Sequence, residues 1–355
     1  MGGGYTIGVI PGDGIGPELV ESAVAVLDAA CAGSIKLTYR YEDGGAGTYR
    51  RTGEALSRAA LERIRDEYDA VLKGPVGLPE VRGPDGTEAG VLGGILRTGL
   101  DAYANVRPIR LLPGARTPLA DDAGPVDYVI VRENTEGLYA SRGLGVGNAH
   151  AMTDQMLMTR PGVERVVRYA FDLARRRGGA PVDGVRRVTC VDKSNVLRGY
   201  AFFRRVFDEV AADFPDVEAD HRYADAAGHD LVAGPGRFDV LVMENFLGDL
   251  LSDVGAATVG GLGMCPSGNI GAAAAYFEPI HGTAPGLAGR DAANPTSQIL
   301  SAALMLAHLG EDGAAGRIGR AVTAAYASGA VRLTPAGTPE AGTRATADAV
   351  IAALA

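Results

Sequence analysis

The stretch VIPGDGIGPELV, residues 9–20, decides how the N-terminal part of this chain folds. The apolar run before it, residues 5–10, predicts a strand, the alternating glycines predict a tight turn, and Pro17 and Glu18 are typical of a first helical turn. The glycines are spaced G-x-G-x-G, and Pro17 stands where the dinucleotide-binding fingerprint G-x-G-x-x-G needs its third glycine. The turn therefore predicts either that a ligand approaches the backbone closely or that the turn is an ordinary strand-to-helix connection.

The composition limits the class of protein. The 355 residues are 46% hydrophobic, which is enough for two domains with a sizeable core. A net charge of -9 argues against a nucleic-acid surface, because phosphate binding depends on clustered cations. Cys31, Cys190 and Cys265 form no C-x-x-C pair, which fits a reducing compartment and excludes a structural zinc site. With no secretory leader and no apolar run of membrane length, we expect a cytoplasmic protein that binds neither nucleic acid nor membrane.

Short apolar runs alternate with helix-like stretches along the chain. Besides the first strand, runs rich in Val, Ile and Leu lie at residues 70–72, 126–131, 185–191 and 240–243. Strands that alternate with helices are typical of an α/β protein, which is the fold class we expect. In such sheets, ligand-binding groups lie just beyond the carboxyl ends of the strands.

Two aspartates follow the last of these strands. Asp249 and Asp253 are four residues apart in a helix-like stretch, so they share one helix face and repel each other. No lysine or arginine nearby in sequence relieves this repulsion. The pair predicts either a solvated acidic face or the ligands of a divalent cation. Because both ligands are oxygens, that cation would be Mg²⁺ or Mn²⁺.

Cationic and polar side chains stand at other strand and helix ends. They are Lys193 and Asn195 in CVDKSNVL, Arg132 and Tyr139 in VRENTEGLYAS, and Arg97 and Arg107 in LRTGLDAYANVRP. A single arginine is most often a solvated surface residue. Three of them beside apolar segments predict a site for a di- or tricarboxylate, since the guanidinium fork matches carboxylate geometry.

Seven motifs, in this order, resemble the β-decarboxylating dehydrogenase family of isocitrate, homoisocitrate, 3-isopropylmalate and tartrate dehydrogenases. They are PGDGIGPE, LRTGLDAYANVRP, VRENTEGLY, DKSNVL, ENFLGDLLSD, FEPIHGTAPGLAG and ANP. The resemblance implies a two-domain, isopropylmalate-dehydrogenase-like α/β fold, not a Rossmann fold, with a cleft between the domains. It implies a cofactor-binding domain of residues 1–102 and 260–355, and a second domain, residues 103–259, for substrate, metal and homodimer contacts.

The resemblance also assigns a cofactor site. It implies that the PGDGIG turn lines the nicotinamide side, that Glu278 faces the nicotinamide ribose, and that the HGTAP loop holds the adenosine half. The residues implied for that half are His281, Gly282, Thr283, Ala284, Pro285, Gly286 and Asn294. Members that use NAD usually carry an acidic residue after this loop, and members that use NADP a basic residue. Gly286 and Leu287 carry neither charge, and the missing cation favours NAD over NADP.

The implied reaction is a metal-dependent oxidative decarboxylation of a malate substituted at C3. The residues implied for the substrate carboxylates are Arg97, Arg107 and Arg132, and those implied for Mg²⁺ or Mn²⁺ are Asp225, Asp249 and Asp253. The resemblance also implies that each subunit contributes Lys193, Asn195 and Asp225 to the site of its partner. Lys193, with neighbouring cations that disfavour its ammonium form, takes the hydroxyl proton, directly or through a water, as hydride leaves C2, and Tyr139 later protonates C3. Non-catalytic regulatory subunits, in which this set is eroded, are the alternative of another class.

The stretch EAGVLGGILR, residues 88–97, is expected to form the helix that reads the C3 substituent in relatives. Isocitrate enzymes carry a serine and an asparagine there, isopropylmalate enzymes leucines and homoisocitrate enzymes an arginine, whereas this chain has Gly93 and Gly94, preceded by Gly90 and Val91. Glycine inside a helix costs about 1 kcal/mol relative to alanine, so either the helix is short or irregular, or the missing side chains leave room for substrate. We expect a bulky or anionic substituent, for example a phosphonate. The alternatives are 3-isopropylmalate as the runner-up, then homoisocitrate, isocitrate, tartrate or malate.

Overall fold

A computed structural model describes residues 4–83 and 86–354. The chain divides into two compact units. The first comprises Met1–Asp101, Leu112–Arg116 and Gly260–Ala355, and the second comprises Ala102–Leu111 and Thr117–Val259.

The described residues form strands and helices in alternation. The strands are β1 (Gly4–Ile10), β2 (Lys36–Tyr41), β3 (Ala70–Lys73), β4 (Ala104–Arg110), β5 (Asp127–Glu133), β6 (Val146–Asn148), β7 (Ala151–Thr153), β8 (Arg187–Asp192), β9 (Glu218–Tyr223), β10 (Val240–Met243), β11 (Pro266–Ile270) and β12 (Ala275–Pro279). The helices are α1 (Gly16–Cys31), α2 (Ala46–Thr52), α3 (Arg58–Asp66), α4 (Gly93–Gly99), α5 (Arg160–Arg176), α6 (Arg198–Ala211), α7 (Ala224–Ala233), α8 (Asn245–Thr258), α9 (Thr296–His308), α10 (Asp312–Ala327) and α11 (Thr343–Ala352).

In the first unit, strands lie side by side in the order β2-β1-β3-β12-β11. β1 is parallel to β2 and β3, β3 is parallel to β12, and β11 is antiparallel to β12. α1, α9, α10 and α11 pack against one another, and α9 also packs on β11 and β12. Because β1, β3 and β12 are parallel, the glycine-rich turns that follow them leave the same edge of the sheet.

In the second unit, the strand order is β4-β5-β10-β8-β9. β5, β10, β8 and β9 are parallel, and β4 is antiparallel to β5. The segments that follow β5, β8, β9 and β10 therefore emerge at one edge, and they carry Tyr139, Lys193, Asp225 and Asp249. β6 and β7 form a separate, exposed antiparallel hairpin.

The α/β class expected from the sequence is confirmed by this architecture. The last predicted strand has the predicted bounds, Val240–Met243, and the first extends one residue further, to Gly4. None of the helices in the described ranges is long and apolar enough to cross a membrane.

Candidate active site

The glycine-rich turns of the first unit are hydrogen-bonded to one another. Ile15 N donates to Thr283 O at 2.9 Å, which joins the turn after β1 to the loop after β12. Thr283 Oγ1 donates to Gly77 O at 2.7 Å, which adds the turn after β3. A Cβ at Gly14 would lie 2.2 Å from Thr283 O, and Gly14 has a φ of +56°. Close contact between backbones therefore explains this glycine.

Asp13, between these glycines, has a structural role that its position in a turn did not predict. It is 7% exposed, and its carboxylate accepts hydrogen bonds from Ala46 N at 2.7 Å, Gly47 N at 2.8 Å and Gly77 N at 2.9 Å. It thereby fixes the start of α2 and the turn after β3 to the turn after β1. These contacts are those of a strand-to-helix connection in which neighbouring backbone segments lie close together and a buried carboxylate holds them.

The loop after β12 offers a surface that suits a dinucleotide. Around Gly282 and Gly286 nothing lies within 4 Å of an added Cβ, so backbone groups there are accessible to a ligand. The partly buried side chain of Leu287 packs against the buried residues Ile15 and Ala293, which places an apolar side chain in this loop. Burial lowers the pKa of His281, which favours a neutral imidazole beside this loop. The chemistry of these residues fits a flat, partly apolar cofactor.

Two of the expected cofactor residues have partners within the first unit. Asn294 is buried, and its Oδ1 accepts from Thr296 N at 3.1 Å, at the start of α9. Glu278 pairs with Lys73, whose Nζ lies 2.5 Å from its Oε2. Lys73 is 1% exposed and was missed by the sequence reasoning, although a lysine that ends an apolar strand is a detectable signal.

Arg132 and Arg107 lie beside the paired aspartates in the second unit. Arg132 is 1% exposed, its Nη1 forms an ion pair with Asp249, and its Nε and Nη2 donate to Asn245 Oδ1 at 3.0 and 2.7 Å. Arg107 Nη1 lies 3.4 Å from Asp249 Oδ1 and 3.9 Å from Asp253 Oδ1. Two arginines that are distant in sequence therefore relieve the repulsion between Asp249 and Asp253, for which the sequence offers no cation nearby.

Asp253 keeps a pKa above its usual range in spite of these cations. Burial is the main cause, the Arg107 guanidinium opposes it, and the charge of Asp249 reinforces it. Two carboxylates four residues apart on α8 offer the oxygen ligands that a hard divalent cation prefers, and Asp249 and Asp253 would be those ligands.

Tyr139 joins this cluster. Its hydroxyl donates to Asp249 Oδ2 at 2.8 Å, its ring packs edge-on against Phe246 at 5.9 Å, and the Arg132 guanidinium lies 5.6 Å from its ring centroid. The structure thus brings together four of the sequence-predicted residues, namely Arg107, Arg132, Tyr139 and Asp249, with Asp253 next to them.

Lys193 and Asp225 form a separate pair. Lys193 Nζ lies 2.8 Å from Asp225 Oδ1, and this hydrogen bond holds the pKa of Asp225 below its usual range. Within the chain, Lys193 therefore faces a carboxylate, and not the cations that were expected to surround it. Asn195 is exposed. In the part of the chain that the structure describes, no three His, Cys, Asp or Glu side chains form a cluster that could hold a metal ion.

The helix expected over residues 88–97 is shorter than predicted. α4 begins at Gly93, and Arg97 lies in its last turn. Gly90 lies outside the helix because its φ is +79°, and an added Cβ at this position would lie 2.3 Å from Ala46 Cα. Gly93 and Gly94 therefore occupy the first turn, where Gly94 has no neighbour within 4 Å of an added Cβ.

The second unit has arginines beside paired aspartates, and the first unit has a loop suited to a dinucleotide. Both features are typical of a dehydrogenase that acts on acidic hydroxy compounds. Residues 6–350 match the family model described as isocitrate/isopropylmalate dehydrogenase, so the chain belongs to this family. It is a decarboxylating dehydrogenase, and the resemblance drawn from the motifs is confirmed.

Named relatives and solved structures agree with this family. The chain is 43% identical to a 3-isopropylmalate dehydrogenase of Clavibacter michiganensis, over 98% of each chain. It is 44% identical to a 3-isopropylmalate dehydrogenase of Mycobacterium tuberculosis, over 92% of this chain and 96% of that one. An isocitrate dehydrogenase structure from Methylococcus capsulatus is 38% identical, with a TM-score of 0.85 and 99% of both chains covered. The relatives therefore carry two different substrate names.

The Asp13 contacts predict a loss of stability and of cofactor binding in Asp13→Asn. The amide would turn an NH₂ group toward backbone donors that now face a carboxylate, at a cost of about 1–3 kcal/mol per unsatisfied donor. We expect a lower melting temperature and weaker binding of reduced nicotinamide dinucleotide in a fluorescence titration, which is simplified by the absence of tryptophan. Asp28→Asn is the matched control, because this exposed carboxylate accepts one hydrogen bond, from the Tyr39 hydroxyl at 2.8 Å, which the amide oxygen can still accept. Unchanged stability and binding in Asp13→Asn would contradict the assigned role.

Proposed function

We propose that the chain catalyses metal-dependent oxidative decarboxylation of a 3-substituted malate with NAD as hydride acceptor. The cluster of Arg107, Arg132, Tyr139 and Asp249 is the observation that carries this proposal. It combines cations for the substrate carboxylates, an acidic hydroxyl and a metal-ligating oxygen in one place. Arg97, in the other unit, is proposed as the third carboxylate-binding arginine.

Each residue has a defined part in the proposed reaction. Lys193, directly or through a water, accepts the proton of the C2 hydroxyl while hydride leaves C2, which oxidises the alcohol to a ketone. The bond from C3 to its carboxylate then breaks, CO₂ leaves, and the bonding electrons remain on the substrate as an enolate. Tyr139 donates its proton to C3, which gives the 2-oxo acid. NAD is the hydride acceptor in the first of these steps.

Asp249 and Asp253 are proposed as metal ligands, together with Asp225 from a second copy. Carboxylate oxygens select Mg²⁺ or Mn²⁺, and a cation of this kind polarises the C2 oxygen and stabilises negative charge on it. The separate position of the Lys193–Asp225 pair supports a contribution from a second copy.

Exposed apolar side chains of the second unit support a homodimer. On and beside the β6–β7 hairpin, Leu144, Val146 and Met152 are 72, 69 and 66% exposed, and Leu250 and Val254 of α8 are 51 and 36% exposed. Apolar surface of this kind is a common mark of subunit interfaces. A dimer built on this surface would bury it and would bring a second Lys193–Asp225 pair to the assembly.

A shared site predicts that two inactive variants restore each other. Lys193→Met removes the proposed base and Asp249→Asn a proposed metal ligand, so each homodimer should lose turnover, while Lys193→Met should still bind substrate. When the two are co-expressed, about half of the dimers are hybrids with one intact site each, which gives about a quarter of wild-type activity.

Co-expression of either variant with itself is the control for that experiment. An inactive mixture would contradict the shared site, and full turnover in the Lys193→Met homodimer would contradict the proposed base. Metal-dependent substrate binding by the wild-type chain without any turnover would instead favour the regulatory-subunit alternative.

NAD is the proposed cofactor because the loop after β12 has Gly286 where NADP-dependent members carry a cation. Arg290 is the basic residue further along this loop, and its Nη1 donates to Gly286 O at 3.3 Å. We expect a higher kcat/KM for NAD than for NADP in steady-state kinetics, with little change in Arg290→Ala. A preference for NADP that disappears in Arg290→Ala would contradict the proposal and identify Arg290 as the phosphate ligand.

The space at Gly94 favours a C3 substituent larger than isopropyl. Gly93 and Gly94 lie in the first turn of α4, which has seven residues, and they leave the space of two side chains empty. The proposal therefore concerns the size of the substituent and not its charge. 3-Isopropylmalate is the second candidate, favoured by the names of the relatives.

Filling this space should change the substrate preference. In a panel of 3-substituted malates, Gly94→Leu should lower kcat/KM for the largest accepted substituent by about tenfold or more, with a smaller effect on isocitrate. Gly319→Leu in α10, another helical glycine with nothing within 4 Å of an added Cβ, is the control for a change of helix propensity. If isocitrate is the best substrate of the wild-type chain, or if Gly94→Leu leaves the preference unchanged, the size argument fails.

A further inference from the structure

Glu244 lies where the segments that carry Tyr139 and Asp249 meet. It follows β10, is 1% exposed, and caps α8 by accepting hydrogen bonds from Phe246 N at 2.9 Å and Leu247 N at 3.2 Å. Its Oε1 also accepts from Leu138 N at 3.0 Å, at the start of the short turn Leu138–Ser141. One carboxylate therefore holds both the turn with Tyr139 and the helix with Asp249.

A fourth donor fixes the orientation of this carboxylate. The hydroxyl of Tyr200, which is 5% exposed on α6, donates to Glu244 Oε2 at 3.0 Å. Burial and the Glu244 charge raise the pKa of Tyr200, so its hydroxyl remains a donor. Because both oxygens have defined partners, the carboxylate has little freedom to rotate away from Leu138.

The turn before Tyr139 is packed tightly against the same carboxylate. Gly137 has a φ of +78°, and an added Cβ would lie 2.2 Å from Glu244 Oε1 and 2.9 Å from Asn245 Cβ. A larger residue at this position would therefore push the turn away from α8. Together with its φ, this contact explains the glycine.

We infer that Glu244 is a positioning residue for the proton transfer from Tyr139 to C3. This inference rests on the proposed function, in which Tyr139 supplies that proton. The Tyr139 ring packs on Phe246, whose N–H is bound by Glu244, and its hydroxyl reaches Asp249 further along α8. Without Glu244, the turn and the first turn of α8 lose their common acceptor, and the phenol loses its fixed position.

Isotope effects test this inference, because they do not depend on the amount of active enzyme. Glu244→Ala should lower kcat by about 10-fold to 100-fold with KM nearly unchanged, since displacements of about 1 Å have effects of this size. The solvent deuterium effect on kcat should rise, and the effect of deuterium at C2 should fall, because C3 protonation becomes rate-limiting. Glu244→Gln keeps one carbonyl oxygen for Leu138 and Phe246 and should recover most of kcat.

Gly137→Ala supplies a second variant, in which the Glu244 carboxylate is still present. It should give the same pair of isotope changes as Glu244→Ala, because the added Cβ displaces the turn from the other side. Ser57→Ala removes the cap of α3 in the first unit, where Ser57 Oγ accepts from Ala60 N at 3.2 Å, and should leave both isotope effects at wild-type values. Melting temperatures of all variants would be measured in parallel.

Tyr139→Phe, measured in parallel with 3-isopropylmalate and Mg²⁺, distinguishes a failure of the role of Glu244 from a failure of the proposed function. If Tyr139→Phe shows the isotope changes and Glu244→Ala and Gly137→Ala show wild-type isotope effects, the role of Glu244 is overturned and the proposed function stands. If Tyr139→Phe itself shows wild-type isotope effects, both are overturned. Matching changes in all three variants support the inference.

Discussion

The burial of the Arg132 guanidinium is the constraint on which the second unit depends. A charged group removed from water costs several kcal/mol unless hydrogen bonds and an opposite charge compensate for it. Here Asn245 and Asp249 provide that compensation, and both belong to the first turns of α8. The helix must therefore lie directly against the end of β5, which requires Gly248, since an added Cβ would lie 2.6 Å from that of Arg132.

The same ion pairs bring several of the proposed active-site side chains together at one edge of the sheet. By fixing Asp249, Arg132 also fixes the partner of the Tyr139 hydroxyl, and Arg107 completes the neutralisation of the aspartate pair. Stability and function use the same ion pairs here, because the carboxylates that compensate the arginines are the proposed metal ligands. In the first unit, backbone contacts between glycine turns, held by Asp13, position the residues proposed to bind the cofactor.

The sequence predicted those parts that depend on local pattern. The strand Val240–Met243 and the shared face of Asp249 and Asp253 follow from apolar runs and helix periodicity, which act over a few residues. The half-exposed strands Lys36–Tyr41 and Glu218–Tyr223 were missed because they are mostly polar. The helix over residues 88–97 was overextended because the local pattern reveals neither the positive φ of Gly90 nor its close approach to Ala46. Lys73 and Glu244 were missed because their partners, Glu278 and Leu138, lie far away in sequence.

The stoichiometry of the products tests the central claim most directly. The purified chain would be given 3-isopropylmalate, or its best substrate of the panel, labelled with ¹⁴C in the carboxylate on C3, together with NAD and Mg²⁺. The account predicts one labelled CO₂ for each reduced nicotinamide, with both products lost in Asp249→Asn. Reduced nicotinamide formed without labelled CO₂, or equal turnover in Asp249→Asn, would contradict it.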